Sequence, residues 1–263
     1  MRSPAILAST VPHRRRVLAG LASALAAPTL LSTGRIARAS GTQCMGVVEL
    51  FTSQGCSSCP AADAALSRLV EEESILALSW HVDYWNYLGW RDTFSDPLFT
   101  ARQRAYAAGL GRRGVYTPQA VVNGRVHEVG SKEAIVRAIV ADFAGGPRGL
   151  TVPLAITADG GALSVRAEGT GMATLYAVAY APRSTVRIER GENAGRRALY
   201  SNVVRALAPV GMMKDGVLDA ILPPDAVAPT AGDDVRIALL LQRVDRTGAL
   251  GPIVGARRLP VGA

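Results

Sequence analysis

The stretch that most constrains this chain is Val47-Val48-Glu49-Leu50-Phe51-Thr52-Ser53-Gln54-Gly55-Cys56-Ser57-Ser58-Cys59-Pro60-Ala61-Ala62-Asp63. Its first five residues are apolar and β-favouring apart from Glu49, and a polar turn follows. Ala62, Ala65, Leu66, Leu69 and Val70 then recur at helical spacing, with Arg68 and Glu71 to Glu73 on the other face. The pattern predicts a strand that delivers a C-x-x-C to the start of an amphipathic helix of about four turns. Pro60 is tolerated there because the first turn of a helix has no use for its N–H. A helix N-terminus offers unpaired N–H groups and the positive end of the dipole, which favour a thiolate over a thiol. Cys56 is therefore expected to ionise below the free-cysteine value of about 8.5. Cys59 follows one turn on, and a disulfide between the two can form and break without moving the fold.

The first residues set the compartment. His13-Arg14-Arg15-Arg16 precedes an apolar run from Val17 to Leu31, and Ala37-Arg38-Ala39 supplies a small-x-small cleavage pattern. Residues 1–39 read as a secretory signal peptide, with the twin-arginine pattern and a plain Sec signal both open. The run is interrupted by Pro28 and falls short of the roughly 20 residues of a membrane span, so no stable membrane insertion is expected after cleavage. The leader also explains the pI near 9.9: it holds six arginines and no acid, and its removal leaves 23 basic against 21 acidic residues. A nucleic-acid partner is discounted on that balance. An exported, periplasmic or secreted protein meets an oxidising environment, where a cysteine pair forms a disulfide. Of the three cysteines, Cys44 precedes the first strand and reads as a buried small hydrophobe, with an intermolecular disulfide or reactive thiol as the alternative.

Further on, Ile75 to Val82 reads as a buried strand, and Asp96-Pro97 as the cap and first residue of a helix running to about Gly109. Asn123-Gly124 between two β-favouring runs predicts a tight hairpin. Ser131 is expected to cap a helix whose face is Ile135, Val136, Ile139, Val140 and Phe143.

The order strand, helix, strand, helix, strand, strand, helix, with C-x-x-C after the first strand and Thr117-Pro118 opening the third, resembles the thioredoxin fold. The runs Glu49 to Pro60, His81-Val82-Asp83-Tyr84-Trp85, Leu88-Gly89-Trp90 and Tyr116-Thr117-Pro118-Gln119 look like the secreted bacterial thioredoxin-like family catalogued as domain of unknown function 1223. The resemblance implies a thioredoxin-like domain over residues 40–147, a cis Pro118 lying against the cysteine pair, and an export route. It implies no substrate.

From residue 148 to 263 short segments of period-two alternation follow one another between Gly- and Pro-rich turns: Val152 to Ile156, Leu163 to Ala167, Leu175 to Ala181, Val186 to Ile188, Val203 to Leu207, Leu218 to Leu222, Val235 to Leu241 and Ile253-Val254. Six to eight such strands predict a β-sandwich-like domain that binds or scaffolds. The fold expected is thus α/β, a thioredoxin-like fold followed by a C-terminal β-sandwich-like domain.

Cys56 and Cys59 read as a dithiol/disulfide exchange centre, Cys56 attacking and Cys59 resolving; an inert structural bridge is the alternative. Pro118, with Thr117, would hold a backbone edge open for an extended substrate peptide, or serve as a rigid turn. Three supporting residues carry paired readings. His81 is a proton donor or soft-metal ligand, or a hydrogen-bonded core histidine. Asp83 is a general base for Cys59 acting through water, or a loop cap. Glu49, a carboxylate inside an apolar strand, is a proton shuttle or one half of a buried ion pair. Tyr84, Trp85, Tyr87, Trp90 and Phe94 form a peptide-binding lip or fill the seam against the second half. The loop Gly191 to Arg197 touches a partner or the cysteine face, or is simply solvated.

The function expected is thiol:disulfide exchange with cysteine-containing exported proteins or a redox partner protein, needing no cofactor because thiols supply the electrons. A binding module with a locked disulfide is the second reading. Copper or zinc handling by the same cysteines, with His81 or His127, is the third.

Overall fold

The computed structural model describes residues 37–38, 44–159, 162–222 and 234–259; the leader read over residues 1–39 lies outside them except for Ala37 and Arg38. In chain order the elements are β1 (Ala37–Arg38), β2 (Gly46–Thr52), α1 (Pro60–Val70), β3 (Ile75–His81), a 3-10 turn at Asn86–Leu88, α2 (Pro97–Gly109), β4 (Gln119–Val122), β5 (Val126–Val129), α3 (Glu133–Phe143), β6 (Ala155–Asp159), β7 (Ala162–Glu168), β8 (Ala173–Arg187), β9 (Arg197–Met213), β10 (Val217–Leu222), β11 (Arg236–Val244) and β12 (Leu250–Arg258). The protein is mixed α/β, with few helices and one large sheet. Among the described residues an eight-stranded sheet runs β12-β11-β8-β9-β3-β2-β4-β5, and a four-stranded sheet runs β1-β6-β7-β10. Strands from before and after residue 147 share the large sheet, joined where β3 and β9 run parallel.

Strand periodicity sorts the core into layers. Along β2, Val48 and Leu50 pack with Leu66 and Leu69 of α1 and Val136, Val140 and Phe143 of α3. Val47 and Phe51 point the other way, joining Trp80 of β3 and Phe99 and Tyr106 of α2. The second half obeys the same alternation. Leu175, Ala177, Leu239 and Leu241 meet the four-stranded sheet through Leu163, Val165, Leu218 and Leu222, whereas Val178, Tyr180 and Leu240 belong to the α2 side. Each fully buried large side chain contributes about 1.5–3 kcal/mol, so these layers fix which face of β2 each polar residue sees.

Local signals explain most boundaries. The Asp96 carboxylate accepts from the Leu98 amide at 2.7 Å and Pro97 opens α2. Asn123 and Gly124 have φ of 48° and 63°, the twist a two-residue hairpin demands. A side chain on Gly124 would put its Cβ 2.5 Å from the Gly251 carbonyl oxygen. The fully buried Asn123 side chain in turn accepts from the Val47 amide at 2.8 Å, tying the turn to the first residues of β2.

Three expectations are corrected. The helix after the cysteines has 11 residues, three turns, because Glu71 already closes it. Ser131 does not cap α3: Lys132 is the residue before the helix, its carbonyl taking the Ile135 and Val136 amides, and this register leaves Ile135 exposed. Leu175 to Ala181 and Val186 belong to one 15-residue strand. Pro182 between them falls between the pairs Ala181↔Val203 and Arg183↔Ser201. There it has no ladder bond to lose, because Asn202 turns left-handed (φ 46°) and sends its side-chain amide to the Ala77 carbonyl. The β8–β9 hairpin is consequently long, and its loop reaches the cysteines.

Candidate functional site

Thr52 ends β2, and the turn Ser53 to Gly55 carries the chain into Cys56. Cys59 stands immediately before α1, its carbonyl accepting the Ala62 and Asp63 amides at 2.9 and 3.0 Å. Cys56 and Cys59 are joined in a disulfide with Cα atoms 5.4 Å apart. Cys56 is 2% exposed and Cys59 0%. The bond thus lies at the head of α1 but under cover.

The Thr117–Pro118 peptide is cis, and it lies against the pair: the Thr117 hydroxyl donates to Cys56 Sγ at 3.3 Å. The Trp85 indole donates to Thr117 Oγ1 at 2.7 Å, and Ser58 Oγ sits 3.4 Å from Cys56 Sγ. Hydroxyls aimed at a sulfur favour its ionised form once the disulfide opens. The cover comes from two segments. Trp90 donates to Gln54 Oε1 at 2.8 Å, holding the aromatic segment on the turn before Cys56. From the β8–β9 loop the buried Asn193 donates through Nδ2 to the Gln54 and Cys56 carbonyls, both at 2.9 Å. Two carbonyl partners fix the amide's orientation, since only its nitrogen can donate. Gly191 (φ 76°) lets that loop pass close to Trp90, where an added Cβ would come within 3.1 Å of Trp90 Cβ.

A buried polar cluster begins one turn after Cys59. Asp63, in the first turn of α1, accepts from the Thr52 hydroxyl at 2.7 Å. Burial pushes its carboxyl up to about 7, against the lowering effect of His81 and with a further upward push from Asp92. His81, at the end of β3, bonds Asp92 through Nδ1 at 2.7 Å, both side chains fully buried. Burial would raise Asp92 as well, but His81 and the Gln54 and Phe94 amides hold it below the usual carboxylate value. Tyr200 of β9 and Phe94 stack edge-on against the His81 ring, and burial beside Asp63 and Asp92 raises the Tyr200 hydroxyl.

The remaining residues singled out from the sequence lie apart. Glu49 faces α2, where Arg102 grips both carboxylate oxygens at 2.8 and 3.1 Å and the Tyr106 hydroxyl adds a further bond. Asp83 accepts from the Thr100 hydroxyl at 2.5 Å while Thr100 Oγ1 takes the Asp83 amide, which ties the loop to α2 as a cap. Cys44 is buried in the α2-side core outside the disulfide, and burial pushes its thiol up. His127 bonds the Tyr116 hydroxyl at 2.9 Å and approaches Arg112 at 3.0 Å. Among the described residues no group of three or more His, Cys, Asp and Glu is arranged to hold a metal ion.

The structure adds Asp63, Gln54, Asp92, Tyr200 and Asn193 to the residues read from the sequence. Asp63 carried a signal, an acid four positions after a cysteine on a helix face that is otherwise alanine and leucine. Asn193 belongs to the Gly191 to Arg197 loop, for which contact with the cysteine face was one reading, and it makes that contact.

A family model described as protein of unknown function (DUF1223) matches residues 47–242. The crystal structure of a protein from Agrobacterium tumefaciens is similar at 36% identity and a TM-score of 0.73, covering 84% of this chain and 96% of that one. HBP35 of Porphyromonas gingivalis is similar in fold alone, at 16% identity and a TM-score of 0.56, covering 82% of this chain and 75% of that one. Among curated proteins none matches the chain. Among the described residues no helix is long and apolar enough to cross a membrane, which together with the disulfide is consistent with export.

Proposed function

The chain belongs to the DUF1223 family, whose description assigns no activity, and from its own residues we propose that it is an exported, thioredoxin-like thiol:disulfide exchange protein acting through Cys56 and Cys59. The observation that carries the reading is the contact of Cys56 Sγ with Thr117 beside the cis Pro118. It brings together two features that lie 61 residues apart. The parallel β2–β3 pair with the β4–β5 hairpin on its other side, and the second sheet packed on the long strands, support the thioredoxin-like and β-sandwich-like readings of the two halves.

The chemistry balances without a cofactor. A partner thiolate attacks Cys56 Sγ, the Cys56–Cys59 bond breaks, and Cys59 leaves as a thiolate that takes up a proton. A second partner thiolate then attacks the mixed disulfide, releasing Cys56. The partner dithiol is oxidised by two electrons and the protein disulfide is reduced by two; the reverse sequence reduces a partner disulfide. Thr117 and Ser58 stand to stabilise charge on Cys56. The Asn193 loop and the aromatic segment must move for a partner to enter, since Cys56 is only 2% exposed. Partners are exported proteins bearing cysteines, met in the periplasm or outside the cell.

That cover favours one competing reading, a binding module whose disulfide is purely structural. Incubating the Cys59→Ala variant with a cysteine-containing model peptide disulfide separates the two. Exchange predicts a mixed disulfide on Cys56, seen by mass spectrometry and released by dithiothreitol. A Cys56 that stays unmodified while the protein is folded supports the module.

A further inference from the structure

Between α1 and the β8–β9 hairpin lies a cavity of about 600 Å³ whose wall includes neither cysteine and shares Asn193 with their cover. The volume is in the range of pockets that bind small molecules, about 300–1,000 Å³. Its chemistry is specific. Ile188, Leu199 and Tyr200 give one side an apolar surface. Arg196 and Arg197 stand at the rim, exposed and without an ion-pair partner among the described residues. The third arginine of the wall, Arg68, is already engaged by Glu133. The wall also contains Asp63, whose Oδ1 accepts from the Thr52 hydroxyl.

We propose that this cavity binds an apolar amino-acid carboxylate: the carboxylate meets Arg196 and Arg197, an N–H donor meets Asp63, and the side chain lies on Ile188, Leu199 and Tyr200. Paired arginines suit a planar carboxylate. A dianion such as a phosphate monoester is disfavoured, because Glu71 and, once ionised, Asp63 stand in the same wall as the two unengaged arginines. An ammonium or N–H donor on the ligand would favour the ionised form of Asp63 in this wall. The same chemistry is offered by a free amino acid, through its ammonium, and by the last residue of a polypeptide, through its amide. The site is independent of the exchange reading: it binds or fails to bind whether or not the disulfide reacts.

The test is calorimetric titration of the full-length oxidised protein with L-leucine, N-acetyl-L-leucine and N-acetyl-L-leucinamide, with amide chemical shifts of residues 188–200 followed in parallel. Saturable one-to-one binding of at least one of the two carboxylates is expected, in the millimolar range or tighter. It should be at least tenfold tighter than for the amide, and weakened at least tenfold by R196Q combined with R197Q. Arg187→Gln, an exposed arginine outside the cavity wall, should leave it unchanged. Tighter binding of leucine assigns a free amino acid, and tighter binding of the acetylated form assigns a polypeptide end. Two results would overturn the proposal: no saturable binding of either carboxylate at 20 mM, or binding indifferent to loss of the carboxylate and of both arginines.

Discussion

Two buried carboxylates lie on opposite faces of the large sheet, and their surroundings could hardly differ more. Glu49, on the α2 face, has both oxygens taken by Arg102 and an added bond from Tyr106, with Gln242 closing the network through Arg102 at 2.8 Å. Asp63, on the α1 face, has one hydroxyl partner, a second carboxylate nearby in Asp92, and a place in the wall of a cavity. The first arrangement uses its charge to hold strand to helix and leaves nothing for chemistry. The second holds its proton near neutral pH one turn after Cys59 on α1. The acid that stood out in the strand is one half of a buried ion pair, the second of its two readings, and the one that looked ordinary on a helix has a raised carboxyl.

The contrast can be broken from either side. Replacing Arg102 with Met strands Glu49 as an uncompensated buried charge, and a loss of ~3–5 kcal/mol in urea unfolding is expected. Reduction of the disulfide in the folded protein should be unaffected. Asp63→Asn should act in the opposite direction and with pH. The folded-state value of about 7 lies above the ordinary 3.8, so stability from this group is complete below about pH 4 and lost as pH rises through 7. Denaturation at pH 5 and pH 8 should show Asn gaining on Asp by ~2–4 kcal/mol at the higher pH, with His81, Asp92, Thr52 and Tyr200 unchanged around it. Asn193→Ala removes both bonds to the Gln54 and Cys56 carbonyls. It should cost ~1–3 kcal/mol and speed dithiothreitol reduction of the folded protein by about tenfold, read by quenched alkylation. The smallest effect is expected for Asp83→Ala, about 1 kcal/mol from the lost cap, with reduction kinetics unchanged.

Much of the first half was legible because its signals are local. A proline after an aspartate places α2, Asn-Gly places the β4–β5 turn, and strand alternation places both faces of β2. The cysteine pair and Thr117-Pro118 were readable as a unit only through a resemblance, since nothing in their spacing brings them together. The long β8–β9 hairpin was hidden because Pro182 looks like a break, and only the partner residue Asn202 shows why it is not. That the Gly191 to Arg197 loop meets the cysteine face was one reading of the sequence, but which residue makes the contact depends on the register of the β8–β9 hairpin. Cavity, cover and raised acid all depend on that register.

The central claim is that the Cys56–Cys59 bond exchanges while the protein is folded, and equilibration in graded dithiothreitol or glutathione buffers, followed by acid quench, alkylation and mass spectrometry, tests it most directly. The account predicts a single reversible two-electron transition at one midpoint, reached from the oxidised and the reduced side alike, with the circular dichroism of the fold intact throughout. A pair that stays oxidised across the whole series and opens only when the protein unfolds would contradict it.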